Sequence, residues 1–328
     1  MSMSVIACGG GGVNVMQWIA EQSAWADVAG HVSVVGLDTN PLDVQFPFYE
    51  VTEPDGTAMN GGGGVRTKVA HAAQHHAATF LSQYPPQEVN VVIHTGGGAS
   101  GSTIGPTLVS EILRQGKVAI AVVIDTSVNS VHAGESTAKV LAGYTQLATK
   151  HHLAVVEFVN RSCFAADEVL VNHQIMTLLS QLYVLTSGQC RRLDATDIQT
   201  FFGWSEVVKI KPTMVTLSVH STLSAEAVKG AVSAIVLTSA DSSSSEEMDA
   251  ALSNVPHVKH GRMPEQSGMP EQLVFALRPQ GSPAQQLNAA LTAKEDVTKA
   301  FSVQADTASQ SLGTVLAPLT TTDTGLIL

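Results

Sequence analysis

Cysteine is scarce in this sequence. The three among 328 residues, Cys8, Cys163 and Cys190, form no CxxC pair and cannot build a disulfide framework. Such sparse usage points to a reducing compartment. Cationic residues are also few: 17 Lys and Arg stand against 28 Asp and Glu, a net charge of −11. Nucleic acid and anionic membrane both call for clustered Lys and Arg. The densest basic spots here are Arg191-Arg192 and Lys209 with Lys211, so direct contact with either partner is not expected. No apolar run is long enough to span a bilayer. No basic-then-apolar leader opens the chain, so a cytoplasmic location is expected. Charged residues make up only 14% and hydrophobic ones 44%, which excludes disorder as the main state. The histidines are scattered or paired (His75-His76, His151-His152) without i,i+4 ligand spacing, so they are expected to hold no metal.

Glycine is what the chain does have, and it is clustered. The runs "CGGGGVNVM", "NGGGGVRTK" and "HTGGGASGST" each follow or adjoin an apolar stretch. Glycine loses more conformational entropy on folding than any other residue, so clusters need a use. The usual use is close approach of backbone N–H groups to an anion. Around these runs, short Val/Ile-rich segments ("SVIAC", "VSVVGLD", "VNVVIHT", "VAIAVVID", "HLAVVEFVN") alternate with helix-like ones. That alternation predicts an α/β fold, a parallel sheet covered on both faces. Ligands of such sheets sit at the carboxyl ends of the strands, where the polar and glycine-rich stretches at 9–12, 38–41, 60–64, 94–102, 125–134 and 160–162 fall.

A long helical pattern follows over 164–187, with Leu170, Ile175, Leu178, Leu179, Leu182 and Leu185 as its expected buried face. Beyond it, "TMVTLSVHS" and "QLVFALRP" read as strands and "SAEAVKGAVSAIV" as a helix. A long C-terminal helix is expected from Ser282, with Pro283 at its first position. The final residues, Leu326, Ile327 and Leu328, form an apolar cluster suited to docking.

Three phosphate-binding templates compete for the glycines. Gly96 and Gly101 have P-loop spacing, but Ser102 stands where the lysine belongs, and the template fails. Gly9 and Gly11 match two positions of the dinucleotide fingerprint, with Asn14 in place of the third glycine and Asp38 suited to a ribose. That keeps an NAD(P)-dependent oxidoreductase open, yet such an enzyme has no use for second and third glycine loops. Three loops at one edge suit a mononucleotide whose phosphates are wrapped from several sides.

The third template is a resemblance. "CGGGGVNVM", "NGGGGVRTK", "TGGGASGS" and "RLDATD", in that order and at those separations, resemble the tubulin/FtsZ superfamily of GTP-dependent filament proteins. The likeness covers residues 4–220 and is greatest to bacteriophage tubulins of the PhuZ and TubZ type. Ala99 departs from the family's usual threonine or serine, and the hydroxyl moves to Ser100. The resemblance implies a Rossmann-like GTP-binding domain (1–165), a central helix (166–187), a catalytic loop and following helix (188–204), a smaller α+β domain (205–281), a C-terminal helix (282–312) and a tail (313–328).

It also implies roles. Gly9, Gly10, Gly11 and Gly12, with Asn14 beside them, and Gly96, Gly97, Gly98, Ala99, Ser100, Gly101 and Ser102 would cradle the α- and β-phosphates. Gly62, Gly63 and Gly64 would close over the γ-phosphate, with Arg66 or Lys68 near. Thr39 and Asn40 match positions near Mg²⁺ or the base, and Asn160 one near sugar or base. Asp167 would accept from guanine, and Phe164 would stack on it or pack in the core. Asp194 and Asp197 follow the long helix, which at about 30 Å carries them away from the chain's own nucleotide. In the resembling family this loop enters the next subunit's pocket and positions the attacking water; Asp194 also reads as an ordinary N-cap. The resemblance therefore implies GTP/GDP and Mg²⁺, a head-to-tail homopolymer, a GTPase, and a spindle positioning phage DNA or capsids in the host bacterial cytoplasm. A non-hydrolysing structural member of the same fold is the further alternative.

Overall fold

The computed structural model describes residues 1–61, 65–127, 130–160, 165–239, 250–264 and 270–280. Gly62, Gly63, Gly64, Phe164, the expected C-terminal helix and the tail lie outside these residues.

The Val/Ile runs become strands β1 (Met3–Cys8), β2 (Ser33–Asp38), β4 (Val89–Thr95), β5 (Val118–Asp125) and β6 (Leu153–Val159). A three-residue strand β3 (Phe48–Glu50) adds to the edge beside β2. All pairings among these six strands are parallel. Side chains alternate between two cores, as a period of two requires. Val5 and Ala7 enter one core with α1 (Gly9–Ala20), α6 (Ala165–Thr186) and α7 (Ala195–Phe202). Ile6 and Cys8 enter the other with α3 (Arg66–Gln83), α4 (Gly101–Arg114) and α5 (Val131–Ala148). The parallel sheet is thus covered on both faces, as expected for continuous apolar strands. A four-residue helix α2 (Ala26–Ala29) lies between α1 and β2.

Register aligns the carboxyl ends. Cys8 pairs with both Leu37 and His94, Thr95 with Ile124, and Asp125 with Val159. The segments at 9–12, 38–40, 96–102, 125–127 and 160 therefore emerge side by side along one edge.

Helix α6 has 22 residues, about 33 Å of rise. Its buried stripe is Val171, Ile175, Leu178, Leu179, Leu182 and Leu185. Leu170, expected in that stripe, is 56% exposed, because Val171 takes the first core position one residue on. After the short α8 (Trp204–Val208), β7 (Val215–His220) continues the sheet by pairing parallel to β6 at Ala154↔Val215 and Val155↔Thr216. The order then runs β7, β10 (Gln272–Pro279), β8 (Ser233–Thr238), β9 (His257–Arg262), within one ten-stranded sheet. The segment read as a helix over "SAEAVKGAVSAIV" is mostly not one. Only α9 (Ala225–Val228) is helical; Gly230, at φ +70°, follows it, and Ser233–Thr238 pairs with β10 and β9. Apolar residues in succession lack the period that separates a buried strand from a helix.

Candidate functional site

Two helices begin at the carboxyl ends of strands: α1 directly after β1, with its glycines inside the first turn, and α4 after the five-residue turn 96–100 that follows β4. Helix α1 opens at Gly9 and α4 at Gly101. Neither N-cap residue, Cys8 or Ser100, makes a side-chain capping bond, and neither first turn carries an acid. First-turn N–H groups left without side-chain caps, at the positive end of a helix, form an anion site.

The two turns interlock through bare backbone. Gly9 has φ +71°, and a Cβ there would lie 2.4 Å from Gly101 N and 2.6 Å from Gly101 Cα. A Cβ on Gly12 would meet Ile93 O at 2.4 Å. Gly96 and Gly97 serve packing: side chains there would strike Thr137 and Thr126. Gly98 is exposed, and Ala99 and Ser100 are half-buried. Ala99 O accepts from Thr103 Oγ1 at 2.7 Å and Ser102 Oγ at 3.4 Å, so the buried Ser102 hydroxyl is turned into its own helix.

A buried carboxylate joins the turns from the side. Asp38, 6% exposed, accepts from Thr39 N at 2.7 Å. Thr39 Oγ1 lies 2.9 Å from Ser100 Oγ. Burial pushes the Asp38 carboxyl above its ordinary range, opposed by donors from Thr39, Ser100 and Gly10. Asp38, Thr39 and Ser100 together present hard oxygen donors, a set suited to Mg²⁺. In the sequence Asp38 reads only as a ribose ligand or a turn residue. Its burial depends on the 96–102 turn, 58 or more positions away, and has no local signal.

Arg66 stands behind this cradle. Its guanidinium donates to Ser136 Oγ at 2.9 Å and to Ser102 O at 2.9 Å, tying α3, α4 and α5 together. Pro106 lies inside α4 and has no N–H for the Ser102 carbonyl four residues back; Arg66 supplies the missing donor. Lys68 instead pairs with Glu53 at 2.7 Å. Asn14 and Asn40 are exposed, and Thr39 is fully buried. Asn160 is half-buried and donates its N–H to Asp125 O at 3.0 Å, and Asp167 is half-buried in the first turn of α6. Beneath the cradle, the buried His94 bonds Thr95 O through Nδ1 at 3.1 Å and Tyr144 Oη through Nε2 at 2.6 Å. Burial lowers its pKa to about 4, so the ring is neutral, with Nδ1–H donating and Nε2 accepting.

Asp194 and Asp197 lie past the other end of α6. They form a reciprocal capping box on α7: Asp194 Oδ1 accepts from Asp197 N at 2.9 Å, and Asp197 Oδ2 from Asp194 N at 3.2 Å. The N-cap reading of Asp194 therefore holds. Asp197 Oδ1 also pairs with Lys259 Nζ at 2.7 Å. The structure gathers the glycine turns, Thr39 and Asn160 along one edge and leaves these two acids elsewhere. Among the described residues no group of three or more His, Cys, Asp or Glu could hold a metal ion, and no helix is long and apolar enough to cross a membrane.

No family model matches the chain. It is similar to a phage tubulin-like protein of Pseudomonas phage phiKZ, 28% identical over 138 residues, 42% of each chain. A phage tubulin-like protein of Pseudomonas phage PhiPA3 is 27% identical over 214 residues, 62% of this chain and 61% of that one. The matched segment thus spans less than two thirds of either relative. A solved structure of the phage tubulin PhuZ with GDP superposes with TM-score 0.76 at 18% identity, over 92% of both chains. The chain therefore has the fold of this phage tubulin structure, and its sequence is similar to phage tubulin-like proteins.

Proposed function

We propose that the protein is a GTPase that assembles head to tail into filaments, each subunit completing the active site of the next. The observation that carries this reading is the separation of parts. A cradle of two interlocked helix N-termini, whose N-cap residues make no side-chain capping bond, lies at one edge. Paired carboxylates stand past the far end of a 22-residue helix. A cradle and acids so placed can work together only across two subunits. A contact between unlike ends does not close on itself, so it propagates as a fibre.

In this reading the backbone N–H groups of 9–12 and 98–101 hold the α- and β-phosphates. Asp38, Thr39 and Ser100 would hold Mg²⁺, which would neutralise phosphate charge. Asp167 accepts from guanine, with Asn160 and Asn40 alongside the sugar and base. A carboxylate acceptor selects guanine because adenine would leave it unpaired. Asp194 or Asp197 of the neighbour orients the water that attacks the γ-phosphate; positioning and charge management are most of what phosphoryl transfer requires. By likeness to the phage relatives, the filament serves as a cytoskeletal element moving or positioning phage DNA or capsids in the host cytoplasm.

The test is light scattering with GTP, GDP, ATP and NAD, alongside phosphate release over a range of protein concentrations. Assembly with GTP alone is expected, with turnover per subunit rising steeply as subunits associate. Asp197→Ala should keep GTP binding and lose about 10²–10⁴-fold in turnover, the range for a positioned acid or base. Turnover per subunit that is independent of concentration would refute the shared site.

A further inference from the structure

Strand β9 ends the order of the sheet, and one of its side chains reaches α7. Lys259 Nζ lies 2.7 Å from Asp197 Oδ1, with the two side chains 37% and 22% exposed. The other Asp197 oxygen belongs to the capping box, at 3.2 Å from Asp194 N. Asp197 is therefore held from two sides, by its own helix cap and by a cation that lies 62 positions later in the chain.

Stability does not explain the cation. A solvent-accessible pair contributes about 0–1 kcal/mol, and the reciprocal cap fixes the start of α7 without it. Charge offers a reason. Two carboxylates three residues apart, on a chain of net charge −11, repel an anionic phosphate chain at close range. If they serve a neighbour's nucleotide, something must keep the working oxygen aimed against that repulsion.

We propose that Lys259 is a positioning residue for GTP hydrolysis: it fixes the Asp197 side chain so that its carboxylate stays aimed at the water beside the next subunit's γ-phosphate. This rests on the reading that the acids act across the subunit contact. The titratable groups that act on Asp197 are Lys259 and His257 from β9 and Asp194 from its own cap. His257 Nδ1 is engaged with Ser233 Oγ of β8 at 2.9 Å, which leaves Lys259 as the cation in contact. Lys259 also holds the Asp197 carboxyl below its usual range. Removing the lysine therefore moves the protonation of Asp197, and with it the loss of activity in acid, to higher pH.

The experiment compares wild type with Lys259→Met, which keeps the stem, Lys259→Arg, which keeps the charge, Asp197→Ala, and Asp197→Ala with Lys259→Met. Subunit affinity for GTP, assembly with a slowly hydrolysed GTP analogue, and the pH–rate profile of polymers are measured. GTP affinity and analogue-driven assembly should stay within about 3-fold of wild type, because a rim charge contributes little to affinity. Polymer turnover should fall about 10- to 100-fold in Lys259→Met, the scale of a misplaced catalytic group. Its acid limb should move to higher pH, Lys259→Arg should recover most of the turnover, and the double variant should be no slower than Asp197→Ala. Wild-type turnover and acid limb in Lys259→Met, with Asp197→Ala inactive, overturns the role of Lys259 and leaves the shared site standing. Loss of analogue-driven assembly in Lys259→Met assigns the lysine to the subunit contact and also overturns the proposal. Unchanged turnover in Asp197→Ala overturns the shared site itself, and the role of Lys259 falls with it.

Discussion

Replacing Gly9 with Ala tests whether the cradle depends on two turns meeting backbone to backbone. The added Cβ meets Gly101 N at 2.4 Å and Gly101 Cα at 2.6 Å, at a φ of +71°. Gly116 is the matched control: its φ is +73°, and nothing lies within 4 Å of a Cβ there. Both variants suffer the left-handed backbone penalty of about 1–2 kcal/mol. Both also gain the same reduction in unfolded-chain entropy, which cancels in the comparison. Only Gly9→Ala adds an overlap with main chain that has no rotamer to move. Overpacking of this kind costs about 1–3 kcal/mol. An unfolding entropy of about 2.1 cal/mol/K per residue over 328 residues gives roughly 0.7 kcal/mol/K. Gly9→Ala should therefore melt about 1–4 °C below Gly116→Ala in calorimetry. Relief of the overlap needs a shift of about 1 Å to restore ordinary contact distance, enough to take first-turn N–H groups out of hydrogen-bond range of a phosphate. Losing two charge-assisted bonds at about 1.5 kcal/mol each weakens GTP binding at least about 100-fold, measured by fluorescent-nucleotide titration, while Gly116→Ala binds normally. Equal melting of the two variants, or wild-type affinity in Gly9→Ala, refutes the interlock.

Arg66→Met should lower stability by about 1–3 kcal/mol in urea titration, because the Ser102 carbonyl is then unpaired. Adding Pro106→Ala returns an N–H four residues on and should recover part of the loss; no recovery would show that the carbonyl is not what Arg66 serves. The neutral His94 sets a pH window. Its folded pKa of about 4 lies below the ordinary 6.5, so its contribution is whole above pH 6.5 and is lost as pH falls toward 4, in total roughly 3 kcal/mol. Stability measured from pH 7 to 4 should show that slope, and His94→Gln should flatten it; an unchanged slope places the acid sensitivity elsewhere.

Much of the architecture is written locally. Runs such as "VNVVIHT" and "VAIAVVID" read as doubly covered strands because they are short, apolar and rich in β-branched residues, and glycines near their ends mark where backbone must come close. The long helix is legible because its stripe repeats for 22 residues. Short or polar strands escape this reasoning. Strand β3 has three residues, β9 reads "HVKHGR", and β8 lay hidden in an Ala/Val stretch with no period of its own.

The sequence by itself therefore determined the alternation of strands and helices, and the edge on which a ligand would meet bare amides, since both follow from neighbours a few residues apart. Only the tertiary structure decided that Gly9 meets Gly101, that Arg66 takes the place of a proline's missing N–H, that Asp38 is buried between two turns, and that Lys259 grips Asp197. Each of those contacts joins residues 36 or more positions apart, or is created by a turn that far away. Which of many possible distant partners meet is set by how the whole sheet registers and packs, a property that no local window of sequence contains.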